Sequence, residues 1–358
     1  MVSGKVSIII PLYNGRRYIF NTVATLSKLR ADKEIIVVDD GSKDGSEEYC
    51  KELCEKYKDV KVVRKENGGI CSARNYGLSI CTGEYVMFVD QDDDLDTDNL
   101  AAAIDRVIEE KADALFWSCN YGVNGEMTAC DEVASDASAG TKEIRSELLP
   151  ALVFREKSAY TSFLGHVWAG IYSAEMIASN EIRFKFFIDY EDDQLFVFDV
   201  LRVAKKISFF KPVVYIWNYN PRSYSNIKRR LDDIVPKYES YFEYLRKGCE
   251  EMRPDFPGNK LDEFRIWEKQ FTFCEAVRNS GISGEMWKQD LKKVKMLEKQ
   301  GEYRAAIKQE PVHIREKKYR LFLVLSKMKM TGVSVRLSRL YFRRKLKKVQ
   351  EAQKNEKV

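Results

Sequence analysis

Short apolar runs that end abruptly on polar or acidic turn residues dominate the first third of this 358-residue chain. They lie at Val6–Ile10, Glu34–Val38, Val60–Val63, Tyr85–Val89 and Ala114–Trp117. Runs of this length, rich in β-branched residues, are the pattern of strands buried on both faces, as in a parallel sheet. A helical stretch follows the first run from about Arg16 to Leu29. The later intervening segments carry apolar residues on one helical face. These are Tyr49, Leu53 and Tyr57 behind an N-cap at Ser46, then Ile70, Ala73, Gly77 and Ile80, then Leu100, Ile104 and Val107. This alternation predicts an α/β fold on a doubly wound, mostly parallel sheet flanked by helices. Such sheets bind ligands beyond the carboxyl ends of their strands. The candidate site is therefore Tyr13-Asn14, Asp39-Asp40, Asn67-Gly68-Gly69 and Asp90–Asp94.

Residues 119–165, with Gly122, Gly125 and Gly140, read as loops with room for a hairpin. Apolar segments return from His166 to about Tyr219 around Glu191-Asp192-Asp193, and after Arg229 the pattern is helical and rich in charge. A boundary near 228 divides a domain 1–228, with halves 1–118 and 119–228, from a C-terminal helical region 229–358. The eight cysteines form no CxxC pair and only His166 and His313 could join them, which argues against zinc and for reduced thiols. The start has too short an apolar run for a signal peptide and no stretch approaches a membrane span, so the chain is expected to be neither secreted nor membrane-spanning.

The densest chemical signal is Asp90-Gln91-Asp92-Asp93-Asp94 after an apolar strand. Carboxylates this close repel unless something positive sits among them. Hard oxygen ligands at this spacing suit Mg²⁺ or Mn²⁺, which use one or two carboxylates plus substrate phosphates. A solvated acidic turn capping a helix near Asp96 is the plainer alternative. Asp39 and Asp40 emerge at the same sheet edge, where a carboxylate can accept from a nucleobase imide N–H. Tyr13 offers an aromatic face on which a base can stack. No GxGxxG follows the first strand, which excludes a dinucleotide-binding oxidoreductase.

Together these segments resemble the family 2 glycosyltransferases, whose catalytic domain has the GT-A fold. The matching stretches are VSIIIPLYN (6–14), EIIVVDDGSKDGS (34–46), ENGGICSARNYGL (66–78), GEYVMFVDQDDDL (83–95) and YEDDQLF (190–196). The resemblance implies a nucleotide-binding half in 1–118 and an acceptor half in 119–228. It implies that Pro11 and Tyr13 line the base site beside Asp39, that Asp40 bonds uracil, and that Arg74 and Asn75 lie near the nucleotide and diphosphate. Asp90-Gln91-Asp92 would be the DxD motif, with Asp90 facing the ribose or a metal-bound water and Asp92 or Asp93 ligating Mn²⁺ or Mg²⁺. Family members often have Ser where this chain has Gln91. Glu191-Asp192 would supply the catalytic base, Asp192 being the usual one. His166-Val167-Trp168 resembles the acceptor side, and Arg222 or Ser225 would reach the diphosphate. The QxxRW sequence of processive synthases is absent. The implied activity is an inverting, metal-dependent transfer of one sugar from a UDP-sugar to a hydroxyl of a glycan or polyprenyl-linked acceptor. Its rivals are a transferase of the same fold with another nucleotide-activated donor and a non-catalytic nucleotide-sugar-binding protein.

The net charge of +5 hides an asymmetry, because 311–350 holds 13 Lys or Arg against Glu316 alone. Leu321, Leu325 and Met328, then Val333, Leu337 and Leu340, recur at helical spacing among those charges. This is the composition of helices in an anionic membrane interface, and the other reading packs the apolar stripe on the catalytic domain. The expected location is cytoplasmic, at the inner face of the cell membrane. No stacking platform for nucleic acid accompanies the basic residues.

Overall fold

The apolar runs form strands of one mixed sheet in the computed structural model, which describes residues 4–123, 126–187, 192–218, 220, 232–252, 255–283 and 286–355. The strands are β1 (Val6–Leu12), β2 (Lys33–Asp39), β3 (Val60–Arg64), β4 (Tyr85–Phe88), β5 (Asp94–Leu95), β6 (Ala114–Val123), β7 (Glu126–Asp131), β8 (Ala137–Gly140), β9 (Gly170–Ser173) and β10 (Lys206–Asn218). Their order is β3-β2-β1-β4-β9-β6-β10-β5, with β7 on β6 and β8 on β10. The first four are parallel, as is the β6–β10 pair, whereas β9 runs antiparallel to both β4 and β6. Because β9 separates β4 from β6, the acidic end of β4 opens against the turn that precedes β9.

Pro11 sits inside β1 at a place that spares its missing N–H. The carbonyl of Ile9 faces β4, accepting from Val89 N–H at 3.0 Å, and that of Leu12 faces β2, accepting from Asp40 N–H at 2.8 Å. Alternation along the strand therefore points the Pro11 nitrogen to the β4 side, where pairing has stopped at Ile9↔Phe88.

Helices α1 (Ile19–Leu26), α2 (Ser46–Lys56), α3 (Ile70–Ile80) and α4 (Thr97–Glu110) connect these strands. The N-cap of α2 is Gly45 and not Ser46, whose hydroxyl instead donates to Asp44. In α3 the small residues Ala73 and Gly77 face the sheet. A Cβ at Gly77 would lie 2.5 Å from Ile9 Cγ2, so only glycine lets the helix press this closely on β1. The expected irregular stretch 119–165 is more regular than its composition implies. β6 continues to Val123 and pairs with β7 as a hairpin. The outer residues of β7 are exposed, so no apolar period marked that strand. Helical segments α5 (Thr141–Glu143), α6 (Leu149–Phe154), α7 (Ala174–Ser179) and α8 (Asp192–Val203) complete this unit.

The chain divides into two compact units, Met1–Tyr219 and Asn220–Val358, and the expected boundary at 228 lies outside the described residues. The second unit contains α9 (Ile234–Glu251), α10 (Gly258–Ile282), α11 (Trp287–Lys299), α12 (Gly301–Lys308), α13 (Lys317–Lys327) and α14 (Thr331–Asn355). α10 is its axis, with Phe264, Trp267 and Phe271 packed edge-to-face on Phe242 of α9 or tilted against one another. All eight cysteines are free thiols. No helix of the described residues is long and apolar enough to cross a membrane.

Candidate active site

Asp39 and Asp40 hold the loop beyond β3. Asp39, 1% exposed, accepts from Ser42 N–H at 2.9 Å and lies 3.6 Å from Arg64. The Asp40 carboxylate accepts from Lys65 Nζ at 2.6 Å, Gly68 N–H at 3.0 Å and Gly69 N–H at 2.7 Å. Gly69 takes φ +84°, a conformation that glycine adopts without cost and that delivers its N–H to the acid. Asp40 thus closes a loop as well as standing at the sheet edge.

The Tyr13 loop is pinned to the acidic cluster by Gln91. Its amide oxygen accepts from Tyr13 N–H at 3.0 Å while its amide nitrogen donates to Tyr13 O at 3.3 Å. Asn14, at φ +49°, donates its N–H to Ser42 Oγ and accepts from Lys43 N–H, so the loop is also tied to the β2 end. These bonds leave the Tyr13 ring half exposed at the strand edge. Glutamine in place of serine at 91 supplies a clamp that serine is too short to make. Pro11, by contrast, is buried within the strand.

Arg74 is the hub of the site. It is 2% exposed, stacks over Phe184, and joins two acids distant in sequence: Asp90 at 3.1 Å and Asp193 at 2.5 Å. A buried guanidinium costs several kcal/mol unless such partners meet it. Burial, partly offset by Arg74 and reinforced by Asp193 and Asp92, raises the pKa of Asp90. The second oxygen of Asp193 accepts from Val167 N–H at 3.3 Å. The first turn of α8 is therefore anchored to the end of β4. Asn75, expected at the nucleotide, is engaged with the backbone of Phe184: it donates to Phe184 O at 3.0 Å and accepts from Phe184 N–H at 2.8 Å. That clamp occupies the amide and positions the ring beneath Arg74.

The acids after β4 point in different directions. Asp93 is 2% exposed and turned inward, accepting from the Tyr215 hydroxyl at 2.7 Å and Asn218 N–H at 2.9 Å. Burial, with Asp90 and Asp92 nearby, pushes its carboxyl well above the usual range. Both oxygens of Asp93, offered by the sequence beside Asp92 as a cation ligand, thus bond to β10 in this structure. Asp90 N–H also donates to Tyr215 Oη, and Asn218 reaches Asp92 O and Asp94. Tyr215→Phe removes two of these bonds at once. It is expected to lower stability by about 1–3 kcal/mol, checked by urea unfolding, and an unchanged midpoint would show that Asp93 needs no such partner. Asp92 remains partly exposed beyond the end of β4.

An aromatic ladder backs this arrangement. His166 stacks on Trp168 at 4.5 Å and Trp168 on Tyr215 at 4.6 Å. His166 Nδ1 is bonded to Asp131 Oδ2 at 2.8 Å; burial lowers the imidazole pKa, but the Asp131 hydrogen bond and charge outweigh it and the net shift is upward. Sequence reasoning missed Gln91, Asp193 and Tyr215 as organisers, since each acts on a partner far away in the chain. Asp192 begins α8, but its side chain, like Glu191, Arg222 and Ser225, lies outside the described residues.

Residues 7–128 match the model of Glycosyl transferase family 2. The chain is 24% identical to the uncharacterized glycosyltransferase EpsJ of Bacillus subtilis, with 91% of this chain and 93% of that protein covered. Its fold is similar to S. aureus TarS 1–349 in complex with UDP-GlcNAc, at TM-score 0.62 and 22% identity, covering 95% and 92% of the two chains. It is also similar to the mannosyltransferase PcManGT from Pyrobaculum calidifontis in complex with GDP-Man and Mn²⁺, at TM-score 0.52 and 15% identity, covering 95% and 88%. Residues 7–128 thus carry the family 2 glycosyltransferase signature, and the chain has the GT-A fold of these structures.

That fold family implies a divalent cation. Among the described residues no group of three or more His, Cys, Asp or Glu forms a closed metal cage. Asp92, part-exposed and close enough to Asp90 to raise its pKa, instead stands beside Asp90, the acid that pairs with Arg74. A part-exposed carboxylate fits a hard cation that completes its shell with substrate phosphates.

Proposed function

We propose that this enzyme transfers one sugar from a UDP-sugar to a hydroxyl of a glycan or polyprenyl-linked acceptor, with inversion and without processivity. The observation that carries the reading is the Arg74 bridge, which ties the DxD strand end to the start of the helix bearing Asp192. Tyr13 stacks on uracil, and Asp40 keeps lone-pair capacity for the base beside its loop donors. Asp192, with Glu191 adjacent, accepts the proton of the acceptor hydroxyl as its oxygen bonds to the anomeric carbon and the bond to the UDP oxygen breaks. Asp92, with Asp90 beside it, would hold Mn²⁺ or Mg²⁺, whose charge neutralises the departing diphosphate. Arg222 contributes a second positive charge toward that diphosphate. Trp168, stacked between His166 and Tyr215, borders the acceptor side. The reaction takes place at the cytoplasmic face of an anionic membrane, where polyprenyl-linked glycans present their hydroxyls.

Calorimetry of UDP with and without Mn²⁺ tests the donor site. Asp92→Ala is expected to remove the Mn²⁺-dependent part of the affinity, a loss of at least the roughly 10–100-fold that even an outer-shell change costs a metal site. Metal-independent binding, equal in wild type and variant, would exclude Asp92 as the ligand. Binding of another nucleotide in place of UDP would move the donor to a different class.

A further inference from the structure

In the C-terminal helical unit, α14 is packed inside out. Its buried face consists of Thr331, Ser334, Val335, Ser338 and Phe342, largely small hydroxyl residues. Those small side chains let the backbone approach α10, where a Cβ on Gly281 would meet Ser338 Oγ at 2.2 Å. Leu337, Leu340 and Tyr341 are left on the outer face, at 40%, 54% and 53% exposure. Helical spacing of three and four aligns them on one stripe with Arg344, flanked by the exposed Arg336 and Arg343. α13 repeats the design. Phe322, Leu323 and Ser326 are buried, whereas Leu321, Val324 and Met328 are exposed at i, i+3 and i+7, with exposed Lys317 on the same line. Lys318 of α13 lies over the Tyr341 ring of α14 at 5.9 Å, so the two outer faces join.

We infer that this joined face of α13 and α14 is seated on an anionic lipid surface, with its apolar row entering the headgroup boundary and its Lys and Arg on lipid phosphates. The inference deepens the membrane part of the proposed function and stands apart from the transfer chemistry. Solvent gives no reason to turn Leu and Met outward and Ser inward, whereas a lipid boundary does. The stripe differs from the one expected from sequence: Leu325 is half-buried and Val324 takes its place on the outer row. Charge selects the occupant. The stretch 311–350 carries 13 basic residues against one acid, so two copies of this face repel each other. For nucleic acid the outer row lacks stacking rings other than Tyr341.

Co-sedimentation of the full chain with phosphatidylcholine vesicles, with and without phosphatidylglycerol, is the test, and thermal melting of each variant controls for folding. Wild type is expected to pellet only with the anionic vesicles. Each Lys or Arg near such a surface adds about fivefold in affinity, so Arg336, Arg343 and Arg344 to Gln together should weaken binding by roughly a hundredfold. Leu321→Gln with Leu340→Gln should weaken it by roughly tenfold or more without lowering the melting temperature. UDP binding should be unchanged in both variants, which separates failure here from failure of the donor site. Wild type remaining in the supernatant with anionic vesicles overturns the inference. So does a dimer in sedimentation equilibrium that Leu340→Gln dissociates, or retention by RNA without retention by vesicles.

Discussion

Arg74→Met is expected to destabilise the Met1–Tyr219 unit by about 3–5 kcal/mol, the cost of breaking a buried ion pair by deleting one partner. The substitution keeps apolar volume but leaves Asp90 and Asp193 without the guanidinium that bridges them. Asp90, already raised by burial, then favours the neutral form in the fold still more than in the unfolded chain. A group whose folded pKa is raised contributes stability at low pH that disappears as pH rises, so the variant's deficit should grow from about pH 5 to pH 8. Burial already raises Asp90 with Arg74 present, which fixes the direction of the change. Urea unfolding at the two pH values measures it. Arg74→Lys should recover only part of the loss, because one ammonium cannot make two separated planar contacts. A deficit independent of pH would mean that packing over Phe184, and not the two acids, accounts for the residue.

Asp192→Asn is expected to lower kcat by roughly 10²–10⁴-fold while leaving UDP affinity unchanged, as loss of a general base requires. The backbone of α8 starts at Asp192, and Asp193 is held by Arg74 and Val167, so the variant should remain folded. Glu191→Gln should cost less. Turnover under saturating donor, with product UDP as the readout, distinguishes the two. A full-rate Asp192→Asn enzyme would falsify the assignment and move the base elsewhere in the acidic group.

Residues 1–118 were largely legible because their signals are local. Strand length, the acid or glycine after each strand and the helical stripes of α2 and α4 depend on neighbours within a few residues, and the expected and observed elements coincide closely there. In α3 the stripe holds at Ala73 and Gly77, but Ile70 is exposed. The hairpin β6–β7 was not legible, since exposed strand residues carry no apolar period. Nor did spacing say which acid after β4 is buried. Asp93 turns inward because Tyr215 and Asn218 of β10 reach it from more than 120 residues away, a contact that exists only once β10 has crossed to the sheet edge beside β5.

The basic C-terminal helices divide along the same line. Residue order alone determined that they are amphipathic, positively charged and too short in apolar content to span a bilayer. Tertiary structure decided which side is hidden: α10 offers Gly281 as a shallow seat, close approach favours serine there, and the leucines go outward. A period of 3.6 residues marks faces but not their depth, because depth depends on the partner helix that each face meets.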